Sequence, residues 1–278
     1  MFLAFGLVAV LFASMSAGAP SETGAPFVVT RDVPYRDAGG DALIAERCLV
    51  DIVHPDATRV EQDRLPVLVW FHAGGLTAGE KWVPPGFRDT GFVVVAAGYR
   101  LSPDVEARVC IEDAAAAVAW CIDHIDEYGG DPSRIVVTGH SAGGYLASMI
   151  GLDKRWLAAH GKNPDTLAGL APISGHGITH FRVRAERGIP GTRAIVDELA
   201  PLYHVRADAP PMLMISGDRE REMLGRYEES AFFWRMMRVI GHEDVELMEL
   251  DGYDHGGVVG PAQRLVVEFA ERVTREAQ

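Results

Sequence analysis

Short apolar runs alternate with longer stretches of helical periodicity along most of this chain. The runs Val67–Phe71 and Val93–Ala97 are continuously apolar, which is typical of parallel strands buried on both faces. Strands are predicted over Phe27–Val33, Leu43–Val53, Val67–Phe71, Val93–Ala97, Ile135–Thr138, Leu167–Ser174, Met212–Ser216 and Val245–Glu249. Helices are predicted over Glu112–Tyr128, Gly143–Leu152, Glu222–Ile240 and Pro261–Glu276. This alternation predicts an α/β fold with a doubly wound, mostly parallel eight-stranded sheet.

One stretch, residues 175–211, interrupts the alternation between two predicted strands. It mixes proline, glycine, histidine and arginine and shows neither a helical nor a strand period. It is therefore predicted to be a small cap inserted into a single domain of residues 27–278. Several of its arginines form either a basic patch for an acidic or sugar-acid substrate or surface ion pairs. The arginines are Arg182, Arg184, Arg187 and Arg193, and the acidic partners are Glu186, Asp197 and Glu198.

The chain begins with an uncharged segment. Phe2–Ala13 is an apolar run of signal-peptide length, too short to cross a membrane, and small residues follow it. A signal peptide over residues 1–18 and a spacer over residues 19–26 are predicted, so the protein is expected to be secreted or periplasmic, without membrane contact after cleavage. No Lys or Arg precedes the run, and Pro20 disfavours cutting after Ala19. An uncleaved anchor and a misassigned start are therefore alternatives.

The acidic composition limits the partners of the protein. The 278 residues carry a formal net charge of −13, which argues against nucleic acid or an anionic membrane as a partner, because both attract basic surfaces. A hydrophobic content of 48% is enough for a large core. No C-x-x-C spacing suggests a metal site, so neither a metal nor another cofactor is predicted.

A candidate nucleophile lies in the pentad Gly139-His-Ser-Ala-Gly143, directly after the predicted strand Ile135–Thr138. The small residues beside Ser141 permit the sharp, strained strand-to-helix turn that exposes a serine hydroxyl. A predicted helix, Gly143–Leu152, follows and completes the context of this motif. The sequence therefore predicts Ser141 as the nucleophile of an acyl-transfer reaction.

A second motif, which we call the glycine loop, is His72-Ala-Gly-Gly75. It resembles the H-G-G-G loop of esterases and lipases, whose backbone N–H groups bind the oxyanion that develops during acyl transfer. Gly74 and Gly75 are the predicted donors, with the amide of Ala142 as the third, and His72 is predicted to anchor the loop. An ordinary turn at the end of a strand is the alternative.

A serine nucleophile needs a base, and the base needs a carboxylate that fixes its tautomer. In serine hydrolases built on a strand–turn–helix motif the chain order is serine, acid, histidine, so the histidine follows the last strand. His255 lies in such a loop, after the predicted strand Val245–Glu249. The acid is expected after Met212–Ser216, where Asp218 and Glu220 are both available.

Together these motifs resemble the α/β-hydrolase superfamily over about residues 28–257, and within it the hormone-sensitive-lipase-like and acetylxylan or feruloyl esterase-like branch. The resemblance implies the α/β-hydrolase fold and no cofactor. It favours Glu220 over Asp218, because the acid of this fold usually stands three residues after the glycine, whereas a carboxylate directly after it more often shapes the turn. The supporting motifs are His72-Ala-Gly-Gly75, Tyr99-Arg-Leu-Ser-Pro103, Glu112-Asp-Ala-Ala115, Tyr128-Gly-Gly-Asp-Pro-Ser-Arg134, Gly139-His-Ser-Ala-Gly-Gly144 and Gly252-Tyr-Asp-His-Gly256.

The resemblance implies a serine carboxylic-ester hydrolase for a small-molecule or carbohydrate ester, with short acyl or hydroxycinnamoyl esters of plant polysaccharide as expected substrates. Leu76 and Trp82 are candidate substrate contacts, and Trp82 either stacks on a sugar or aromatic group or packs the loop. An arylformamidase-type amidase is an alternative, disfavoured because Leu76-Thr77 stands where those enzymes usually carry an aromatic residue. A small peptidase and a non-catalytic binding module are further alternatives.

Overall fold

Eight strands form one sheet in the computed structural model, which describes residues 27–56, 64–223 and 225–276. The order across the sheet is β1-β2-β4-β3-β5-β6-β7-β8, with β2 antiparallel to both neighbours and the other pairs parallel. The predicted mostly parallel sheet is confirmed, whereas the predicted leader and spacer lie outside the described residues. The strands are β1 (Phe27–Pro34), β2 (Leu49–Pro55), β3 (Leu65–Phe71), β4 (Val93–Ala97), β5 (Gly130–His140), β6 (Gly169–Ile173), β7 (Met212–Gly217) and β8 (Val245–Leu250).

Helices pack on both faces of this sheet. Side chains alternate along β3, so that Val67 and Val69 belong to one core and Leu68 and Trp70 to the other. Both cores are apolar, which explains the continuous apolar runs of the central strands. Among the described helices, none has the length and apolar character that a membrane span requires. The helices are α1 (Ala42–Arg47), α2 (Ala107–His124), α3 (Ala142–Leu152), α4 (Lys154–Ala158), α5 (Phe181–Glu186), α6 (Arg226–Val239) and α7 (Val259–Glu276).

Several predicted elements have different bounds in the structure. The first half of the predicted strand Leu43–Val53 is wrong, because α1 forms there: Asp41 accepts hydrogen bonds from the amides of Leu43 and Ile44 and so caps the helix. The predicted helix Glu112–Tyr128 begins earlier, at Ala107, and is α2.

The predicted helix Glu222–Ile240 is wrong at its beginning. The observed helix α6 begins at Arg226, after Gly225, whose φ is +72°. A residue in this left-handed conformation cannot continue a right-handed helix, and glycine adopts it without strain. Glu222 therefore lies in the loop after β7 and not on a helix, which changes its functional role.

The carboxyl ends of the parallel strands bring distant loops together. Phe71 of β3 pairs with Gly139 of β5, and His140 of β5 pairs with Ile173 of β6. The glycine loop and the serine turn therefore lie side by side at one edge of the sheet, as expected for sites of open parallel sheets. The predicted cap, residues 175–211, follows β6 at the same edge and contains α5 and a short 3₁₀ turn over Pro201–His204.

Candidate active site

The turn at Ser141 is strained and tightly packed. Ser141 has φ +54° and ψ −110°, and its amide donates to the carbonyl of Ile173 at 2.8 Å. A Cβ atom added to Gly143 would lie 2.0 Å from the carbonyl oxygen of Phe71, and one added to Gly139 would lie 2.5 Å from the carbonyl carbon of Gly143. Only glycine fits at both positions. The backbone thus holds the serine in a conformation that a free chain rarely adopts.

The structure brings His255 to the serine. Its Nε2 lies 2.9 Å from Ser141 Oγ. The backbone of His255 is held by His140, whose Nε2 donates to the His255 carbonyl at 2.7 Å. Burial, and next the charge of the His255 ring, lower the pKa of His140 to about 4, so the His140 side chain is neutral at pH 7. Sequence reasoning missed this support, since His140 occupies a variable position of the pentad.

The carboxylate that binds His255 is Glu222, and both predicted candidates are wrong. Glu222 Oε1 accepts a hydrogen bond from His255 Nδ1. Asp218 instead accepts from the amides of Glu220, at 2.9 Å, and Gly252, at 2.8 Å, and so ties the end of β7 to the histidine loop. The carboxylate of Glu220 is exposed and makes no contact with His255 among the described residues.

The chain after β7 turns back on itself, and this turn places Glu222. The amides of Arg221 and Glu222 both donate to the carbonyl of Asp218, at 2.9 and 2.8 Å. The spacing rule that favours Glu220 does not include this extra turn. The available signal was Gly225, because a glycine three residues after Glu222 argues against a helix that already includes Glu222.

Glu222 is buried but fully hydrogen-bonded. Its Oε2 accepts from Ser174 Oγ at 2.6 Å and from the Gly217 amide at 3.1 Å, and its Oε1 also accepts from the Met223 amide at 3.0 Å. Burial alone would raise the pKa of this carboxyl, but the hydrogen bonds from His255, Ser174 and Met223 lower it to about 2. Glu222 is therefore ionised at neutral pH and can stabilise a protonated His255.

The glycine loop has the backbone geometry of an anion site. Gly74 and Gly75 have φ angles of +120° and +63°. Within the part of the chain that the structure describes, the amides of Gly74, Gly75 and Ala142 donate to no protein acceptor. Three unsatisfied N–H groups next to a nucleophile can bind a developing oxyanion. The loop itself is held by Tyr99, whose hydroxyl donates to the His72 carbonyl at 2.9 Å.

His72 has the structural role that the sequence predicts. Its ring stacks on Tyr99 with centroids 4.3 Å apart, and its Nδ1 donates to the Ala73 carbonyl at 2.6 Å. Burial lowers the pKa of His72 to about 4, so the ring is neutral. Among the described residues, no group of three or more His, Cys, Asp or Glu side chains is arranged to hold a metal ion.

Comparisons with known proteins agree with this geometry. The BD-FAE family model matches residues 50–166, a range that includes the glycine loop and Ser141. The esterase LipC of Mycobacterium tuberculosis is 26% identical over 76% of this chain and 59% of LipC. The probable carboxylic ester hydrolase LipM of the same organism is 27% identical over 68% of this chain and 49% of LipM. The chain thus spans about half the length of these curated relatives.

Solved structures share the fold over almost the whole chain. Esterase 2 of Thermogutta terrifontis, solved with propionate bound, has a TM-score of 0.66 and 25% identity, over 92% of this chain and 96% of that one. The chain has the α/β-hydrolase fold. A truncated carbohydrate esterase from gut microbiota has a TM-score of 0.72 at 17% identity, over 92% of this chain and 99% of that one. The similarity to BD-FAE and to the Lip esterases supports the predicted resemblance to the hormone-sensitive-lipase-like branch.

The two residues predicted to contact substrate differ in their exposure to solvent. Leu76 is fully buried in the core and has φ +64°, so the prediction that it contacts substrate is wrong. Trp82 is 42% exposed and packs edge-on against Trp70 with ring centroids 5.8 Å apart. Packing of the loop explains this contact, and a role of Trp82 in substrate binding stays a prediction.

Two arginines of the predicted cap form ion pairs. Arg182 Nε lies 3.3 Å from Glu186, and Arg187 Nη1 lies 2.6 Å from Asp197. Arg184 differs from both, because it is 3% exposed and, among the described residues, donates only to backbone carbonyls. The surface-pair interpretation therefore applies to Arg182 and Arg187 and does not apply to Arg184.

The glycine loop allows a direct test of the oxyanion binding that the sequence predicts. We expect Gly74→Ala to lower kcat for 4-nitrophenyl acetate by about 100- to 1000-fold, with a smaller change in KM. A Cβ atom at this position would lie 1.9 Å from the Ala78 carbonyl oxygen, so the loop must move. Gly91→Ala is the matched control, because Gly91 has φ +82° but nothing within 4 Å of the added atom. Equal losses in the two variants would contradict the assignment.

Proposed function

We propose that this α/β-hydrolase is a serine carboxylic-ester hydrolase that acts through an acyl-enzyme. The observation that carries the proposal is the hydrogen-bonded series Ser141–His255–Glu222, with 2.9 Å between Ser141 Oγ and His255 Nε2. A serine, a histidine and a buried, ionised carboxylate in this order are what nucleophilic attack on an ester carbonyl requires.

In the proposed mechanism, Ser141 Oγ attacks the ester carbonyl carbon while His255 Nε2 takes the hydroxyl proton. The carbonyl oxygen becomes an oxyanion and accepts hydrogen bonds from the amides of the glycine loop and Ala142. Glu222 stabilises the protonated His255 through Nδ1. When the C–O bond to the alcohol breaks, His255 gives its proton to the leaving oxygen. Water then attacks the acyl-enzyme by the same proton route and releases the acid and Ser141.

Substrates of the proposed enzyme are short acyl or hydroxycinnamoyl esters of plant polysaccharide. The motif resemblance supports this substrate class, as does the carbohydrate esterase among the proteins of similar fold. This support is at the level of the family and the fold, so the acyl group has to be measured directly.

Hydrolysis of 4-nitrophenyl esters from acetate to octanoate, with 4-nitrophenyl ferulate, tests the proposal. We expect turnover that is fastest for acetate or ferulate. We also expect paraoxon, which phosphorylates Thermogutta terrifontis esterase 2, to inactivate this protein with the mass increase of one diethylphosphoryl group. No turnover of any ester, together with turnover of formyl-kynurenine, would show an amidase instead. No turnover and no labelling would show a binding protein.

A further inference from the structure

A large cleft next to the triad is not used by the mechanism above. It has a volume of about 760 Å³ and lies between the cap and the beginning of α6. Phe181, from its wall, contacts the glycine loop: a Cβ atom added to Gly75 would lie 2.8 Å from Phe181 Cζ. Met223, also in the wall, directly follows the triad carboxylate Glu222. The cleft therefore lies beside the glycine loop and the triad carboxylate, and it offers space for part of a substrate.

One wall of this cleft holds a buried arginine whose hydrogen bonds go to neutral backbone groups. Arg184 is 3% exposed. Its Nη1 donates to the carbonyls of Gly191 and Arg193, at 2.8 and 2.6 Å, and its buried Nε has no acceptor within the part of the chain that the structure describes. No ion pair joins it to a carboxylate among the described residues. A buried cation held only by neutral groups keeps much of its desolvation cost.

A second arginine of the cleft is in a similar environment. Arg226 is 2% exposed and donates to the Ser174 carbonyl at 2.6 Å and to His176 Nε2 at 2.7 Å. Its Nε is buried and has no partner in the described part of the chain. Burial strongly lowers the pKa of His176, so that its ring adds no positive charge of its own at neutral pH. Both arginines thus present incompletely paired guanidinium groups to one cleft.

The acidic residues of the cleft are already engaged. Glu229 accepts from His176 Nδ1 at 2.9 Å and from the Gly177 amide at 3.3 Å, and burial raises the pKa of this carboxyl. Glu228 pairs with Arg219 at 2.7 Å, where both side chains are exposed to solvent. Glu229 also attracts the charges of Arg184 and Arg226, but it forms an ion pair with neither among the described residues. Two guanidinium groups thus face one buried carboxylate, in a cleft bounded by apolar side chains such as Ile178 and Phe232.

We propose that this cleft binds a carboxylate of the substrate, so that the preferred substrates are esters that carry a carboxylate some bonds away from the scissile carbonyl. The inference rests on the ester hydrolysis proposed above and specifies its substrate class. Charge-assisted hydrogen bonds from a guanidinium to a carboxylate are strong, and a partly dry cleft strengthens them. The substrate carboxylate supplies the ion pair that Arg184 does not form among the described residues.

Matched ester pairs test this proposal on both sides of the scissile bond. On the acyl side, 4-nitrophenyl hemiglutarate is compared with 4-nitrophenyl valerate, which has a methyl group in place of the carboxylate. On the alcohol side, 3-carboxyphenyl acetate is compared with 3-methylphenyl acetate. In one pair we expect kcat/KM of the wild type to be about tenfold or more higher for the carboxylate ester. Arg184→Gln should lower this ratio by about ten- to a hundredfold, and Arg184→Lys by less.

Controls separate recognition from stability. Arg184 also holds the cap backbone, but a loosened cap slows both members of a pair and leaves their ratio unchanged. Arg187→Gln, which removes an arginine paired with Asp197 on the same cap, should keep the wild-type ratio. Glutarate should competitively inhibit hydrolysis of the neutral esters, with an inhibition constant about tenfold or more higher in Arg184→Gln.

Several results would overturn the inference. They are a ratio near one in both wild-type pairs, an unchanged ratio in Arg184→Gln, or an equal change in Arg187→Gln. Hydrolysis of the neutral esters without a preference for the charged ones would leave the esterase proposal standing and remove only this inference. Failure to hydrolyse any of the esters would remove both.

Discussion

Ser141→Ala is expected to lower kcat for 4-nitrophenyl acetate by about 10⁴- to 10⁶-fold. The variant keeps the glycine loop and the binding surfaces but has no oxygen to form the acyl-enzyme. Any residual hydrolysis then depends on attack by water next to the donors of Gly74, Gly75 and Ala142. The variant should also take up no diethylphosphoryl group from paraoxon, which a mass measurement checks directly.

Ser148→Ala is the control for this experiment. Ser148 lies in α3, the helix that follows the serine turn, and its hydroxyl donates to the Gly144 carbonyl at 3.0 Å. Its loss removes a buried hydroxyl from the same region without touching the triad, so we expect activity within about threefold of the wild type and a similar melting temperature. Substantial turnover by Ser141→Ala, with the fold intact, would show that another group performs the chemistry.

Glu222→Gln has the second largest expected effect, a loss of about 10³- to 10⁴-fold in kcat. The amide is nearly the same size, but it cannot stabilise the protonated imidazole and can present its NH₂ group to His255 Nδ1, which favours the wrong tautomer. Because the pKa of Glu222 is about 2, the carboxylate stays charged throughout the pH range from 4 to 9. The defect should therefore persist at every pH of that range.

Glu220→Gln distinguishes the observed triad from the one that the sequence favours. Glu220 is exposed and two residues away from Glu222, so the same chemical change at the neighbouring carboxylate should leave kcat within about twofold of the wild type. Steady-state kinetics of both variants with one ester decide the question. A larger loss in Glu220→Gln than in Glu222→Gln would mean that the loop after β7 has a different conformation in solution.

Local patterns were sufficient to predict part of this site. The serine turn needs small residues at Gly139 and Gly143 because the Phe71 carbonyl lies against it. The two glycines of the pentad are therefore visible in the sequence. His255 could be found because chain order and a loop after the last strand restrict the choice of histidine. Gly74 and Gly75 could be found because a backbone with positive φ angles requires glycine.

Other parts of the site depend on contacts between distant segments. Leu76 is next to the glycine loop in sequence, yet its side chain lies in the core, because the direction of one side chain in a turn is not set by its neighbours alone. In the sequence, Arg184 cannot be distinguished from its neighbours Arg182 and Arg187. In the structure, Arg184 is buried against residues 191–193, whereas the other two form ion pairs.

The sequence by itself determined the fold class, the nucleophile, the base and the glycine loop of this α/β-hydrolase, because each depends on a steric or periodic rule within a few residues. Only the tertiary structure decided which carboxylate completes the triad. The two predicted carboxylates, Asp218 and Glu220, lie within five residues of the chain with Glu222. One extra backbone turn after β7 directs Glu222 to Ser174 and His255. Hydrogen bonds from distant segments determine which of these carboxylates binds His255. The spacing of residues along the chain does not reveal where those segments lie.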